Sequence, residues 1–432
     1  MKRTMLCAVA LAMASSMPVQ AQESELKQLR EELKKLQDRI SDLEKRQAQK
    51  PRPGSSPDIG LILQGTVARS SRDPNAYQIT GFAPSGGEVG PAPRSFSIGE
   101  SELIMGGNID PYFRGVLIAA LTPDNQAEVE EAYVQTLALG RGFTVKGGRF
   151  LSGIGYQNEI HQHAWDFQDA PLAYKAFLGG RLNDDGVRVR WVAPTDLFLE
   201  LGAELGRGRS FPSAESSRNS AGIAGAFARI GGDARDAAWR AGLSFFNASA
   251  RDRVFTHVDA LGGDVNQAFT GRSGLWVADA VVKWRSAFKL QGEYFRRRES
   301  GTLTYDDTAQ PAPQFGAAFT DAYSSRQHGW YAQGVWEFVP RWRAGYRYDK
   351  LYYGTVVNAI VASGAGPTAA DFPLTLTAHN PSRNTVMVDW SPTEFSRLRL
   401  QFAADKSAFG VSDRQLLLQY IHSLGAHGAH RF

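Results

Sequence analysis

Residues 330 to 349 restrict the possible folds of this chain more than any other segment. From Trp330 to Phe338, apolar and polar side chains alternate, and after Pro340 the alternation resumes with aromatic residues on one face and arginines on the other. Because successive side chains of a strand point to opposite faces of its sheet, the segment predicts a tight hairpin with one apolar and one charged face. A soluble sandwich would bury the apolar face, whereas a membrane barrel exposes it to lipid and turns the charged face to a water-filled interior.

The same alternation recurs in pairs of segments joined by short turns. Seven such turns are predicted, at 108–111, 140–142, 193–195, 232–235, 285–287, 339–340 and 391–393. They join fourteen strands, and a first strand (59–69) and a last strand (from 414) make sixteen. Longer polar connections are expected at about 70–97, 122–128, 151–186, 207–221, 247–274, 298–328, 351–383 and 405–413. The chain is therefore predicted to be all-β, a sixteen-stranded antiparallel transmembrane β-barrel over residues 59–432.

Tryptophan placement supports the barrel independently. One group sits near the short turns on the apolar parity: Trp191, Trp239, Trp284, Trp336, Trp342 and Trp390. Trp276 and Trp330 have the same parity at the other strand ends. Amphipathic rings favour the headgroup level of a membrane, so we expect two aromatic girdles.

The first 58 residues predict three further segments. Lys2-Arg3, an apolar run and Val19-Gln20-Ala21 indicate a signal peptide over 1–21. It contains Cys7, the chain's single cysteine, so disulfides and thiolate sites are excluded from the rest. Residues 50–58 form a Pro/Gly linker. The formal net charge of +4 falls to about +1 for the barrel once Lys2, Arg3 and the helix described next are set aside, so charge indicates no nucleic-acid partner.

Residues 22–49 predict a short periplasmic coiled-coil helix. Apolar residues recur there at spacings of three and four, at Leu26, Leu29, Leu33, Leu36, Ile40 and Leu43. This is a heptad seam with charged flanks, which favours self-association in parallel. A single amphipathic helix packing on the barrel mouth is the alternative. The core residues do not fix the number of helices.

The order of these segments, together with Glu130-Glu131-Ala132-Tyr133-Val134 and the stretch from Gly147 to Gly155, resembles the phosphate-selective porin O/P family. The resemblance covers the predicted mature chain. It implies a trimeric diffusion channel in the outer membrane of a Gram-negative bacterium, often with a preference for anions. Lipid and lipopolysaccharide would then be its surroundings.

The third long connection is the predicted constriction loop. It carries Glu159, His161, His163, Asp166, Asp169 and Lys175. In porin-like barrels a loop at this position commonly folds inward, and mixed charges there would set a transverse field. His161 and His163 with nearby carboxylates are an alternative metal site, although His-x-His alone is a weak signal.

Basic side chains on the interior parity are candidates for the pore lining. They are Arg188, Arg190, Lys283, Lys289, Arg341, Arg343, Arg347, Arg397 and Arg399. A column of such charges could guide anions. Alternatively, acidic residues that also face the interior pair with these basic residues. The charges would then line a water-filled pore without guiding anions.

We expect a diffusion channel for small ionic solutes, mildly selective for anions such as phosphate, with no cofactor. An uptake channel for divalent metal ions through the third loop, and a structural tether using the coiled coil, are the alternatives. We expect no enzymatic activity, because only this loop combines histidine with aspartate and no convincing serine motif accompanies it.

Overall fold

The computed structural model describes residues 57–86, 89–122, 126–214, 219–259, 261–285 and 287–425. The predicted signal peptide, the coiled-coil helix with its leucines and isoleucine, and most of the linker lie outside these residues. Among the described residues, no helix is long and apolar enough to cross a membrane.

The described residues form seventeen strands in one antiparallel sheet. Their bounds are β1 Asp58–Ser70, β2 Ser95–Ser97, β3 Ser101–Asn108, β4 Phe113–Leu121, β5 Ala127–Thr136, β6 Phe143–Leu151, β7 Asn183–Val192, β8 Phe198–Gly206, β9 Ile223–Ala234, β10 Ala237–Val258, β11 Asp264–Trp284, β12 Phe288–Asp306, β13 Ala318–Val339, β14 Trp342–Asn358, β15 Ser382–Thr393, β16 Ser396–Lys406 and β17 Asp413–Gly425. β2 and β3 pair with successive parts of β1 and together make one barrel strand. β1 also pairs with β17, which closes the ring. The prediction of a sixteen-stranded antiparallel barrel is confirmed.

Three short α-helices lie in the long connections of the described chain: α1 Leu172–Leu178, α2 Ala359–Ser363 and α3 Pro373–Leu376. The tight turns lie close to their predicted positions. In the first of them, the Asp110 carboxylate accepts the backbone N–H groups of Tyr112 and Phe113 at 2.7 and 2.8 Å, which stabilises a reversal without glycine. The last turn falls at Glu394–Phe395, slightly later than predicted, because the pairing of β15 with β16 is irregular after Trp390.

Within the apolar belt of the barrel wall, the distribution of side chains is the inverse of that in a soluble protein. Large apolar residues face outward, and Trp284 and Trp336 are 54% and 56% exposed. The largest fully buried side chains include five arginines: Arg188, Arg297, Arg347, Arg383 and Arg399. Since an exposed apolar belt is stable only against lipid, this barrel spans a membrane.

Three predicted loops are wrong in extent. Residues 247–274 and 298–328 are largely strand, and strand also extends to Asn358 at the start of 351–383, because β10 to β14 continue well past the apolar belt. Side chains on these strands still alternate between the outward and inward faces. Beyond the apolar belt, however, the outward residues become polar and apolar residues turn inward. On β12 the outward residues are apolar up to Tyr294 and polar or charged from Arg296, while inward Leu303 and Tyr305 are buried. The sequence looked like polar loop there because the apolar residues had changed faces.

Candidate functional site

The third long connection, residues 152–182, folds into the barrel. Its helix α1 is fully buried, and the Tyr174 and Phe177 rings lie 5.1 and 6.1 Å from the ring of Phe295 on β12. Leu172 and Tyr331 belong to the same apolar cluster. Helix α1 of the predicted inward loop therefore docks against the wall formed by β12, β13 and β14.

Wall carboxylates hold the loop backbone in place. Glu293 on β12 accepts the N–H groups of Tyr156 and Gln157, each at 3.0 Å between nitrogen and oxygen, and the Tyr174 hydroxyl at 2.9 Å. Asp349 on β14 accepts the N–H of Leu172 at the start of α1, at 2.9 Å. Buried N–H groups without partners are costly, so these contacts fix the path of the loop.

Two aspartates of the loop pair with wall cations. The Asp166 carboxylate lies 2.9 Å from the Lys289 ammonium and 3.1 Å from the Arg343 guanidinium. Burial alone would raise the pKa of Asp166, but the charges of Lys289 and Arg343 outweigh it and lower the pKa to about 2.

Asp169 forms a second, denser node. It contacts Arg347 at 3.1 Å, the Lys175 ammonium of α1 at 3.3 Å, and Arg383. Burial opposes ionisation, but the charges of Arg383 and Lys175 hold the pKa of Asp169 well below its usual range. Burial also lowers the pKa of Lys175, although Asp169 opposes that effect.

Glu159 anchors the opposite side of the loop. Its two carboxylate oxygens lie 2.6 Å from Arg188 and 2.6 Å from Arg229, and Arg190 is 3.6 Å away. Despite burial, the charges of Arg229 and Arg188 keep the pKa of Glu159 far below its usual range. Loop carboxylates therefore meet wall cations on both sides of the interior.

The two loop histidines lie among wall glutamates. His161 places Nδ1 3.0 Å from Glu130 and 3.4 Å from Glu102, and Nε2 3.1 Å from Glu131. His163 places Nδ1 2.8 Å from the other oxygen of Glu102. Within the described chain, Glu102, Glu130 and His161 form a set whose ligand atoms all lie within 4.8 Å of one another.

The charge state of His161 follows from these neighbours. Burial lowers the pKa of His161, yet the hydrogen bond to Glu131 and the charge of Glu102 outweigh it and raise the pKa to about 9. Without a metal, His161 is therefore an imidazolium at neutral pH. Sequence reasoning missed all three glutamates, although Glu130 and Glu131 are adjacent and stood out as a motif.

The predicted basic residues do not form an open column. Arg343 and Arg347 are paired with Asp389 and Asp349 at 2.6 and 3.0 Å, in addition to their loop partners. Arg399, fully buried, donates to the Trp165 carbonyl of the loop at 2.7 Å.

Three further residues complete the predicted set. Arg397 donates to the carbonyl of His163, and Lys283 is half-buried on β11. Arg341 was expected on the interior wall, but it is exposed in the turn after β13 and donates to the Pro392 carbonyl at 2.8 Å. The positive φ of Arg341, 73°, is part of that chain reversal. Arg341 therefore does not follow the alternation of the neighbouring strands.

A cavity of about 720 Å³ lies beside the docked loop. Its charged lining includes Glu131, Glu159, His161, Lys146, Arg190, Glu200, Arg229, Asp233 and Arg240. Lys146, Arg229 and Arg240 were not predicted. The residue before Arg229 is the outward-facing Ala228. Because alanine is small, its alternation with arginine is too weak a pattern to predict that Arg229 faces the interior.

Comparison with solved structures supports the fold. OmpT of Vibrio cholerae, described as an outer membrane protein, matches 87% of this chain and 100% of its own with a TM-score of 0.52 and 9% identity. An anion-selective porin from Comamonas acidovorans matches 85% and 99% with a TM-score of 0.50 and 9% identity. At such identities only the barrel architecture is shared.

A comparison with family models finds no match, so the resemblance to phosphate-selective porins stays a prediction. A protein of Aquifex aeolicus strain VF5, described as uncharacterized, is 31% identical over 404 residues, which cover 87% of this chain and 80% of that protein. This chain has the fold of outer-membrane porins and belongs to the same family as that Aquifex protein.

Proposed function

We propose that the protein is a channel of the outer membrane of a Gram-negative bacterium, through which small polar solutes diffuse past the third loop. The observation that carries the proposal is the charged cavity of about 720 Å³ between the docked loop and the wall of a closed barrel. A charged cavity enclosed by a lipid-facing barrel is typical of diffusion pores. We infer a channel rather than an enzyme because both ring nitrogens of His161 contact wall carboxylates.

We propose further that the channel mildly prefers small anions, including phosphate. Lys146, Arg190, Arg229 and Arg240 line the cavity, and a low-dielectric wall strengthens the field of fixed charges. Glutamates line it too, so the preference is weak. The arginines of β14 and β16 contribute less than the sequence suggested, because carboxylates and the loop cover them.

The test is reconstitution in planar bilayers with a salt gradient. Wild type is expected to conduct with a reversal potential shifted modestly towards anions. Arg190→Glu should shift it towards cations, and high salt should reduce that shift by screening. The matched control, Arg341→Glu, makes the same charge change in an exposed turn and should have a smaller effect. Absence of current from folded protein would overturn the channel, and cation selectivity of wild type would overturn the anion preference.

A second candidate function is an uptake channel for divalent metal ions. It is favoured by the position of His161 and His163 beside Glu131 at the edge of the cavity. A zinc gradient in the same bilayers separates the two candidates, since a zinc-conducting pore shifts its reversal potential with that gradient. A zero shift would leave the diffusion channel as the better proposal.

We also propose a homotrimer assembled through the barrel and the coiled-coil segment. One matching Vibrio cholerae OmpT structure is described as a trimer form, and the predicted heptads at residues 22–49 are suited to self-association. Replacing Leu33 and Leu36 by glutamine should loosen the oligomer without unfolding the barrel, which closes within one chain. An oligomer as resistant to heat and mild detergent as wild type would contradict this role.

Lipopolysaccharide is the proposed surrounding of the upper wall. Arg296 and Arg298 face outward on β12 immediately above Tyr294, the last apolar residue on the outward face of that strand. Guanidinium groups bind phosphates well. Replacing both arginines by glutamine should weaken co-purification of lipopolysaccharide, and unchanged co-purification would count against the contact.

A further inference from the structure

We propose that Glu102, Glu130 and His161 bind a divalent transition metal ion, of which Zn²⁺ is the best fit, and that the ion fastens the third loop to the barrel wall. The ligands come from three elements: Glu102 from β3, Glu130 from β5 and His161 from the loop. This ion would be a resident one rather than a transported solute. The proposal does not depend on the channel function.

The spacing of the ligand atoms suits such an ion. Nδ1 of His161 lies 3.0 Å from Oε2 of Glu130 and 3.4 Å from Oε2 of Glu102. Ligand atoms about 2.0–2.1 Å from a tetrahedral zinc are roughly 3.3 Å apart. An imidazole nitrogen with carboxylates favours zinc or a similar transition metal over magnesium or calcium, which prefer oxygen alone. All three ligand atoms lie within 4.8 Å of one another, so adjustment of the side chains would bring them around one ion.

An unsatisfied atom points into this set. Glu102 is fully buried, and its Oε2 makes no hydrogen bond among the described residues, although it lies 3.4 Å from Nδ1 of His161 as an ion pair. Its other oxygen, Oε1, is held by His163. A buried carboxylate oxygen without a hydrogen bond is expensive, and a metal ion beside Nδ1 of His161 would satisfy it.

The backbone of β5 departs from regular pairing at this point. Ile118 of β4 pairs with Glu131, whereas the next residue, Ala119, pairs with Val129, which leaves Glu130 as an extra residue in a β-bulge. Adjacent strand residues normally point to opposite faces. The bulge instead buries both Glu130 and Glu131, and bulges commonly re-aim side chains next to functional sites.

The surroundings match those of known metal centres. Nε2 of His161 lies 3.1 Å from Glu131, and metal-bound histidines usually donate their second nitrogen to a carboxylate in this way. His163 supports Glu102 similarly. Arg181 contacts Oε1 of Glu130 and Oε1 of Glu100. Its positive charge competes with a metal ion, while the contact orients the carboxylate of Glu130. Glu131, His161 and His163 border the cavity, which provides an entry path.

The experiment uses full-length protein in detergent, treated with a chelator and titrated with Zn²⁺ and Co²⁺. The parent protein carries His427→Asn and His430→Asn, so that these two histidines near the C-terminus do not contribute to metal binding. All variants are made in this parent. One equivalent should bind, with a Co²⁺ spectrum of low coordination number. Glu102→Gln and His161→Gln should weaken binding at least 100-fold, and Glu131→Gln about 10–100-fold. His257→Gln, which alters a buried histidine bonded to the Asp371 carbonyl, is the matched control and should bind as the parent.

Folding is monitored by heat-modifiable electrophoretic mobility. If His161→Gln does not fold, metal binding by Glu102→Gln decides whether the site exists, because glutamine has the same size as the glutamate it replaces. Zinc should also slow hydrogen exchange at residues 157–167 in the parent but not in Glu102→Gln. A parent that binds no metal, or a folded Glu102→Gln variant that binds as tightly as the parent, would overturn the site, whatever the bilayer measurements give.

Discussion

Asp166 shows how a single loop residue controls the interior. Its carboxylate bridges Lys289 and Arg343, which are 123 and 177 residues away in the chain. These cations face the interior from β12 and β14 and would repel each other without it. The pairing therefore holds the loop against the wall and at the same time neutralises the positive charges of Lys289 and Arg343.

The pKa of Asp166 gives a prediction on pH. Because it is lowered from 3.8 to about 2, docking gains stability that is fully present above about pH 4 and is lost as pH falls through about 2. Conductance should therefore rise between pH 4 and pH 2 in planar bilayers. Asp166→Asn should already conduct more at pH 7 and lose part of this dependence. A variant with the wild-type pH profile would show that Asp166 does not hold the loop.

Gly155 offers a steric test of the same docking. Its φ is +68°, and an added Cβ would lie 2.3 Å from a carboxylate oxygen of Glu293, the residue that accepts the N–H groups of Tyr156 and Gln157. Gly155→Ala should displace the loop and make it more sensitive to protease than wild type. Gly147→Ala, where nothing lies within 4 Å, is the control and should leave digestion unchanged. Equal protection in both variants would contradict the tight fit.

At the scale of elements, the third loop and the wall have complementary charges. Its carboxylates lie against arginines and a lysine, and wall carboxylates accept its N–H groups. The loop consequently acts as a fitted part of the barrel interior, and its removal should change charge as well as width.

Deletion of residues 161–169 tests that expectation. It removes Asp166 and Asp169 and uncovers Lys289, Arg343, Arg347 and Arg383. Single-channel conductance should rise and the reversal potential should move towards anions. Deleting nine residues of another connection, 308–316 between β12 and β13, is the length-matched control and should alter neither. Higher conductance without a shift towards anions would mean that the uncovered cations find other partners.

Periodicity predicted the strands but not their partners across the interior. Outward tryptophans such as Trp336 and Trp342 stand out from charged neighbours, so the sixteen strands could be counted from the sequence. The contact of His161 with Glu102 depends on closure of the barrel and on the path of the loop, and neither leaves a local pattern. The bulge at Glu130 breaks the alternation on which sequence reasoning relies, and the loss of apolar outward residues after Tyr294 made strand look like loop.

At the scale of the whole molecule, accessibility differs between residues of the same parity. Arg190 borders the cavity, whereas Arg399 is fully buried behind the loop. In a Cys7-free chain in lipid, a cysteine at 190 should react with a membrane-impermeant thiol reagent, and cysteines at 342 and 399 should be protected. Removal of residues 161–169 should expose 399 but not 342. Labelling at 399 in the intact barrel would contradict the docked loop.

The change of polarity along β12 has a consequence for the height of the barrel. From Arg296 to Asp306 the strand rises beyond its last lipid-facing residue, and at about 3.4 Å per residue and a tilt of roughly 40° this adds some 25–30 Å. Arg297 and Glu299 still face the interior at the start of that height, but from Leu303 upward β12 is polar outside and apolar inside, as in a water-soluble β protein. The barrel thus carries a tower above the bilayer, and a large particle arriving from that side would meet the rim of the tower well before it reached the lipid.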